Sequence, residues 1–118
     1  MNDNILESVK LLGGLTEEYT HFNQHYVMYI NSVFFTLMQL GVGPVKGFVV
    51  KDGSECWSDF MPDNPDTDML REATKTYVAA KVKLEFDPPL SSSAMEALKR
   101  IVAEYEWRLN LEVECPST

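Results

Sequence analysis

The sequence contains little cysteine and no long apolar run, and each shortage excludes a class of protein. Cys56 and Cys115 are the only cysteines among 118 residues, too few and too far apart for a disulfide framework or a metal knuckle. No apolar run approaches the roughly 20 residues of a membrane helix. The N-terminus lacks the basic and apolar regions of a secretion signal. We therefore expect a protein of the reducing cytoplasm, with both thiols reduced and no membrane contact.

Basic residues are also scarce, which argues against a nucleic-acid-binding domain. Ten basic residues stand against eighteen acidic ones, and the formal charge is −8. A chain this acidic is not held on a phosphate backbone by counterion release. The length of 118 residues and the apolar fraction of 45% predict one domain, residues 1–118, with a modest core.

Apolar periodicity predicts a mainly α fold, a four-helix domain. The helices should cover residues 3–12, 22–40, 66–86 and 93–110. Pro88 and Pro89 stop the third helix, because proline lacks the amide donor and its ring clashes with the preceding turn. Ser93 and Glu96 have the spacing of a capping box at the start of the fourth helix. Residues 110–118 should form a flexible C-terminal tail.

Between the second and third helices the helical period disappears for about 25 residues, which is long for a connection. Asp52-Gly53 separates two short β-prone runs, a pattern typical of a β-hairpin. Trp57-Ser58-Asp59-Phe60 could form a helical turn whose two rings anchor the loop. The sequence therefore predicts a long ordered loop with a short β-hairpin, and such loops are usually functional.

The second helix is apolar on more of its circumference than one buried face requires. Its inward seam consists of Tyr26, Ile30, Val33, Leu37 and Leu40. Further apolar residues lie off this seam, namely Val27, Met28, Phe34, Phe35 and Met38. A helix of this kind must be covered on most sides. Either another subunit covers it or the chain wraps it, and the pattern supports the two interpretations equally.

The candidate metal and catalytic patterns are incomplete. His21 and His25 are four residues apart, as in a zinc protease, but no glutamate follows His21 and no third ligand is placed. Histidines at a helix start are the favoured interpretation, and a metal hydrolase is the minor alternative. Ser91-Ser92-Ser93 has no partner histidine and no glycine-flanked elbow. Cys56 has no adjacent base that would lower its thiol pKa.

The acidic turn before the third helix also departs from the pattern of a calcium site. Asp63, Asp66 and Asp68 lack the turn glycine and the closing glutamate of a calcium loop, so helix capping is the favoured interpretation. We expect no catalytic, cofactor-binding or metal-binding residue.

The remaining candidates are large apolar side chains that belong either to the core or to a subunit interface. They are Met28, Phe34, Phe35, Met38, Trp57, Phe60 and Trp107. Aromatic residues in a loop are typical interface anchors.

A series of short segments carries a resemblance to a known family. It consists of Leu11-Leu12-Gly13, Glu17-Glu18-Tyr19-Thr20-His21-Phe22, Tyr29-Ile30-Asn31-Ser32-Val33-Phe34, Leu37-Met38-Gln39-Leu40-Gly41-Val42-Gly43-Pro44, Trp57-Ser58-Asp59-Phe60, Tyr77-Val78, Phe86-Asp87-Pro88-Pro89 and Glu106-Trp107-Arg108-Leu109-Asn110. In this order the segments resemble the head–tail connector (adaptor) proteins of long-tailed bacteriophages and their prophage relatives. No single motif is diagnostic, and the loop around Gly47 departs from the pattern.

The resemblance implies a non-enzymatic virion protein, made in the bacterial host cytoplasm, that forms a ring of about twelve copies at the head–tail interface. Such a ring docks on the portal protein, extends the DNA channel and meets the next connector, a stopper, or a tail component. DNA would pass without specific binding, because an acidic wall repels phosphate. The alternative is a small cytoplasmic protein-binding module that holds one partner with the Trp57 loop.

Overall fold

The computed structural model describes residues 4–12, 23–44, 46–61, 68–86 and 88–114. Within these ranges the helices are α1 (Ile5–Leu12), α2 (Asn23–Leu40), α3 (Trp57–Phe60), α4 (Asp68–Phe86) and α5 (Ser92–Glu114). The prediction of a mainly α fold is confirmed. The short α3 is the helical turn predicted within the loop.

Helices α2 and α4 are central, because they pack against each other and each also packs against α1 and α5. The predicted seam of α2 is buried at Tyr26, Ile30, Val33 and Leu37. On α4 the buried face is centred on Thr74, Val78 and Val82, with Tyr77 beside it. Thr74, Val78 and Val82 recur at intervals of four, so they form one inward stripe, and Tyr77 lies three residues after Thr74 on the same side.

The C-terminus of α2 is closed by a glycine in the left-handed conformation. Gly41 has a φ of 86°, which a side chain would disfavour. Its amide donates to the carbonyl of Met38 at 3.0 Å, and the amide of Val42 donates to the carbonyl of Leu37 at 2.9 Å. This pair of bonds is a Schellman motif, and it satisfies two carbonyls that the helix would otherwise leave open. The cap turns the chain back over α2.

Helices α4 and α5 form a hairpin that the two prolines separate, as predicted. The cap of α5, however, is Ser91 and not Ser93. The Ser91 hydroxyl accepts the amide of Ala94 at 3.3 Å, and the Ser91 carbonyl accepts the amide of Met95 at 2.9 Å. The predicted capping box is wrong, because Ser93 already lies inside the helix.

The expected tail from residue 110 is also wrong over most of its length, because α5 continues to Glu114. Leu109 is buried, and the Asn110 side chain donates to the carbonyl of Leu40 at 3.5 Å. The last turns therefore continue a helix that is anchored at the C-terminus of α2. Residues 115–118 lie outside the described residues.

A polar cluster ties α4 to α5. The buried Tyr77 hydroxyl donates to Glu106 Oε2 at 2.7 Å, and Lys81 Nζ donates to the same oxygen at 3.3 Å. Burial, followed by the hydrogen bond to Glu106, raises the pKa of Tyr77 above its ordinary value. The tyrosine is therefore a fixed donor, and the cluster sets the register of the two helices.

We expect Tyr77→Phe to lower the free energy of unfolding by about 1–3 kcal/mol at neutral pH, because a charged acceptor loses one donor. The unfolded tyrosine ionises near pH 10, about its ordinary pKa, whereas the folded one stays protonated. The stability contributed by the raised pKa is thus complete below about pH 10 and declines above it. Denaturant unfolding at several pH values should show the difference between wild type and variant narrowing above about pH 10.

The matched control is Tyr105→Phe, which removes a hydroxyl that forms no hydrogen bond to any described residue. If the difference in the free energy of unfolding between wild type and Tyr77→Phe does not change with pH, Tyr77 does not have the raised pKa assigned to it.

Candidate interaction surface

The loop after α2 is held by one side chain of that helix. Asn31 Nδ2 donates to the carbonyl of Val50 at 2.9 Å, and the amide of Val50 donates to Asn31 Oδ1 at 2.7 Å. The carboxamide therefore gives Val50 the two hydrogen bonds that a neighbouring strand would supply. Residues 46–50 consequently lie against α2.

The predicted β-hairpin is wrong, because residues 46–61 contain no strand. Side chains bind the turn instead: the Glu55 carboxylate accepts the amides of Lys51 at 2.8 Å and Gly53 at 3.2 Å. Asp52 Oδ1 accepts the amide and the hydroxyl of Ser54, and these bonds hold the pKa of Asp52 below its ordinary value. Because the carboxylates of Glu55 and Asp52 accept these backbone amides, the turn does not need hydrogen bonds between two strands.

The far end of the loop is fastened to α1. The amide of Ile5 donates to the carbonyl of Glu55 at 3.0 Å, and Asn4 forms an isolated bridge with Cys56. Trp57 Nε1 donates to the Ser8 hydroxyl at 2.8 Å. The chain therefore crosses from α2 to α1 and covers one side of α2.

An aromatic cluster forms beneath this cover. The Phe34 ring lies 4.7 Å from the Phe60 ring and 5.3 Å from the Phe48 ring, and Phe34 and Trp57 are 6.1 Å apart. Such tilted and edge-on pairs contribute about 0.5–1.5 kcal/mol each beyond the area they bury. The cluster makes the loop part of the core.

The structure divides the seven interface candidates into two groups. Phe34, Trp57 and Phe60 are at most 3% exposed, so they pack within one chain. The other four lie on the surface or at a pocket wall, and they are Met28, Phe35, Met38 and Trp107. For these four the interface role stays a prediction.

A half-open pocket lies between α2 and the loop. Its volume is about 270 Å³, and its lining includes Phe34, Phe35, Met38, Lys46, Phe48 and Val49. Pockets for small molecules begin at about 300 Å³, so this one lies just below their size range. Its walls are apolar apart from Lys46 and Asn31, and the Asn31 carboxamide is already bound to Val50.

Several exposed apolar residues were not predicted from the sequence, among them Val49, Met69 and Leu90. Val49 lines the pocket mouth, Met69 lies in the first turn of α4, and Leu90 follows the two prolines. Periodicity could not identify them, because Val49 and Leu90 lie outside helices and Met69 precedes the buried stripe of α4. The signal for Leu90 was its place between two prolines and a helix cap.

The described residues contain no group of three or more side chains that could hold a metal ion. The His25 ring stacks on Phe86 at 6.2 Å, and Asp68 pairs with Arg71 at 3.6 Å. His21, Asp63 and Asp66 lie outside the described residues. None of the helices in the described ranges has both the length and the apolar character for a membrane crossing.

The fold is small and helical, and several of its large apolar side chains are exposed on α2, on α5 and in the loop between α2 and α3. A family model described as phage connector protein matches residues 5–116. The chain belongs to this family, which makes it a structural protein of the bacteriophage head–tail connector and confirms the resemblance. No curated protein and no solved structure matches it significantly.

Removing Asn31 should loosen the loop without unfolding the helices. We expect Asn31→Ala to cost about 1–3 kcal/mol, because the partly buried amide and carbonyl of Val50 lose their partners. Hydrogen exchange should accelerate most at the Val50 amide and less in α4 and α5. Uniform acceleration along the chain would contradict this local role.

Two adjacent phenylalanines offer a matched comparison of core and surface. Phe34 is 1% exposed and Phe35 is 56% exposed. Phe34→Ala should lower the free energy of unfolding by about 3–5 kcal/mol, whereas Phe35→Ala should change it by about 0.5 kcal/mol. Equal losses in denaturant unfolding would assign both rings to the core.

Proposed function

We propose that the chain forms a ring at the head–tail connector, docks on the portal protein and extends the channel through which DNA passes. The opposite side of the ring would meet the next connector or a tail component. The subunit contributes surfaces for assembly and carries no enzymatic activity. About twelve copies would form the ring, which closes by rotation about one axis.

The observation that carries this proposal is the exposure of apolar side chains on separate elements. Met28 and Phe35 are exposed on α2, and their spacing of seven residues places them on one face. Trp107 and Leu111 are exposed on α5, where a spacing of four places them on another. Each subunit of a ring touches two neighbours with two different surfaces, so two apolar faces meet that requirement.

The α5 face points away from the core of its own chain. Trp107 is two residues from the buried Leu109, which corresponds to about 200° around the helix. An exposed tryptophan is the side chain most enriched among interface residues that dominate binding energy. Trp107 is therefore the strongest single candidate for a contact with another subunit.

The net negative charge of the chain is consistent with a channel through which DNA passes without binding. A net charge of −8 gives no affinity for phosphate through counterion release. A wall that repels phosphate lets DNA pass, whereas a basic wall would retain it.

The test is to mix the purified chain with purified portal rings. Native mass spectrometry should show several copies added per portal, and electron microscopy should show an additional ring of density. Trp107→Asp should reduce the bound copies by roughly tenfold or more at equal concentration, if the residue contributes about 2 kcal/mol or more. Thermal melting of the variant should match wild type.

A portal complex with no added mass would contradict the proposal. A one-to-one complex with a single partner and no larger assembly would favour a protein-binding module.

A further inference from the structure

The solvent-facing side of α5 carries a stripe of exposed residues at the spacing of a coiled coil. Alternating steps of four and three residues connect its members, which are Ser93, Ala97, Arg100, Glu104, Trp107 and Leu111, and all of them are exposed. Such steps align side chains along one side of a helix, where a second helix can pack. The opposite side of α5 packs within the chain at Val102 and Leu109, so the stripe is left to solvent.

The order of residues along this α5 stripe is complementary to its own reverse. From its N-terminal end the stripe has two small residues, a positive charge, a negative charge and two large apolar residues. If a second copy of α5 runs in the opposite direction, Arg100 lies beside Glu104 of that copy, and Trp107 lies beside its Ala97. Each charge then meets its opposite, and the largest side chain meets a small one, which lets two helices interdigitate.

The same stripe disfavours two helices that run in the same direction. In that arrangement identical residues meet, so that Arg100 faces Arg100 and Glu104 faces Glu104. Like charges at close range oppose association. The stripe therefore favours an antiparallel pair, in which one two-fold axis relates the two copies.

The charges at the centre of the stripe are available to a second copy. Arg100 forms no ion pair with any described residue. Glu104 pairs with Arg108 at 2.7 Å, but both side chains are more than half exposed, and such surface pairs contribute little. A carboxylate has about four acceptor positions, so Glu104 can accept Arg100 of a second copy and keep Arg108.

We infer that the free chain pairs with a second copy through antiparallel α5 helices, with Arg100 of each copy beside Glu104 of the other. A two-fold contact uses the same surface on both copies and cannot grow. It covers Trp107, the residue assigned above to a ring contact, so copies paired in this way cannot begin a ring through this face. The pairing itself does not rest on the proposed function.

The test is sedimentation equilibrium of the purified chain at about 0.15 M ionic strength, where salt screens the long-range repulsion between acidic chains. Wild type should show an equilibrium between monomer and dimer. Arg100→Glu and Glu104→Arg each place like charges together twice, so each should weaken the dimer by about tenfold or more. An equal mixture of the two should form heterodimers, and the double variant should dimerise like wild type, because both arrangements restore opposite charges.

Lys99→Glu is the matched control, because it makes the same change of charge at the neighbouring exposed residue, outside the stripe. It should dimerise like wild type. Thermal melting of the variants should also match wild type, because Lys99, Arg100 and Glu104 are exposed. If one single variant melts early, the other single variant and the double variant still decide the question.

Wild type that stays monomeric, single variants that dimerise as tightly as wild type, or a double variant that fails to dimerise would each overturn the inference. A monomeric wild type that adds to portal rings would overturn this inference alone and leave the proposed function standing. A wild type that dimerises as described but adds no mass to the portal would support the pairing and overturn the proposed function.

Discussion

The fold depends on how the loop after α2, together with α3, covers the Phe34 side of that helix. Two hydrogen bonds between Asn31 and Val50 hold the loop against the helix, and the Phe48 ring then closes over Phe34. Without this cover the aromatic cluster would face water, and α2 would expose apolar surface on two sides. The Asn31 carboxamide can replace a neighbouring strand because it needs to hold only Val50. The rest of the loop is held by its packed aromatic rings and by the hydrogen bond from Trp57 to Ser8.

The same cover creates the surface available to partners. The loop shields Phe34 but leaves the next residue, Phe35, beyond its edge, because successive helical residues point about 100° apart. The sequence supported two explanations for the apolar surplus of α2, wrapping by the chain or burial against another subunit. The structure assigns wrapping to the side of Phe34 and leaves the side of Phe35 and Met28 to solvent.

Much of the helical framework could be predicted, because local chemistry determines it. Gly41 and the two prolines mark helix ends through backbone restrictions, and apolar spacing identified the α2 seam. The prediction of a β-hairpin around Asp52-Gly53 was wrong because Glu55 and Asn31 accept the backbone amides that a β-ladder would use. A pattern of β-prone residues does not reveal this competition. The prediction of a tail was wrong because Leu109 is buried and Asn110 binds α2, and contacts between distant parts of the chain are not visible in the local sequence. Of the surface, Met28, Phe35, Met38 and Trp107 could be named from sequence, whereas Val49 and Leu90 needed the loop geometry.

A ring closes only if every subunit presents its two contact surfaces at one fixed angle. The two exposed faces proposed as contacts lie on α2 and α5, and the angle between them depends on how the α4–α5 hairpin is held against α2. Phe86 packs the end of α4 on α2, and Asn110 binds α5 to the other end of that helix. Between these points, Tyr77 and Lys81 share the Glu106 carboxylate. Directional hydrogen bonds to the partly buried Glu106 carboxylate specify one register between α4 and α5. Apolar packing alone would allow the two helices to shift more easily. In the proposed ring this polar cluster, whose acceptor Glu106 directly precedes the exposed Trp107 on α5, would limit the angles at which copies can meet.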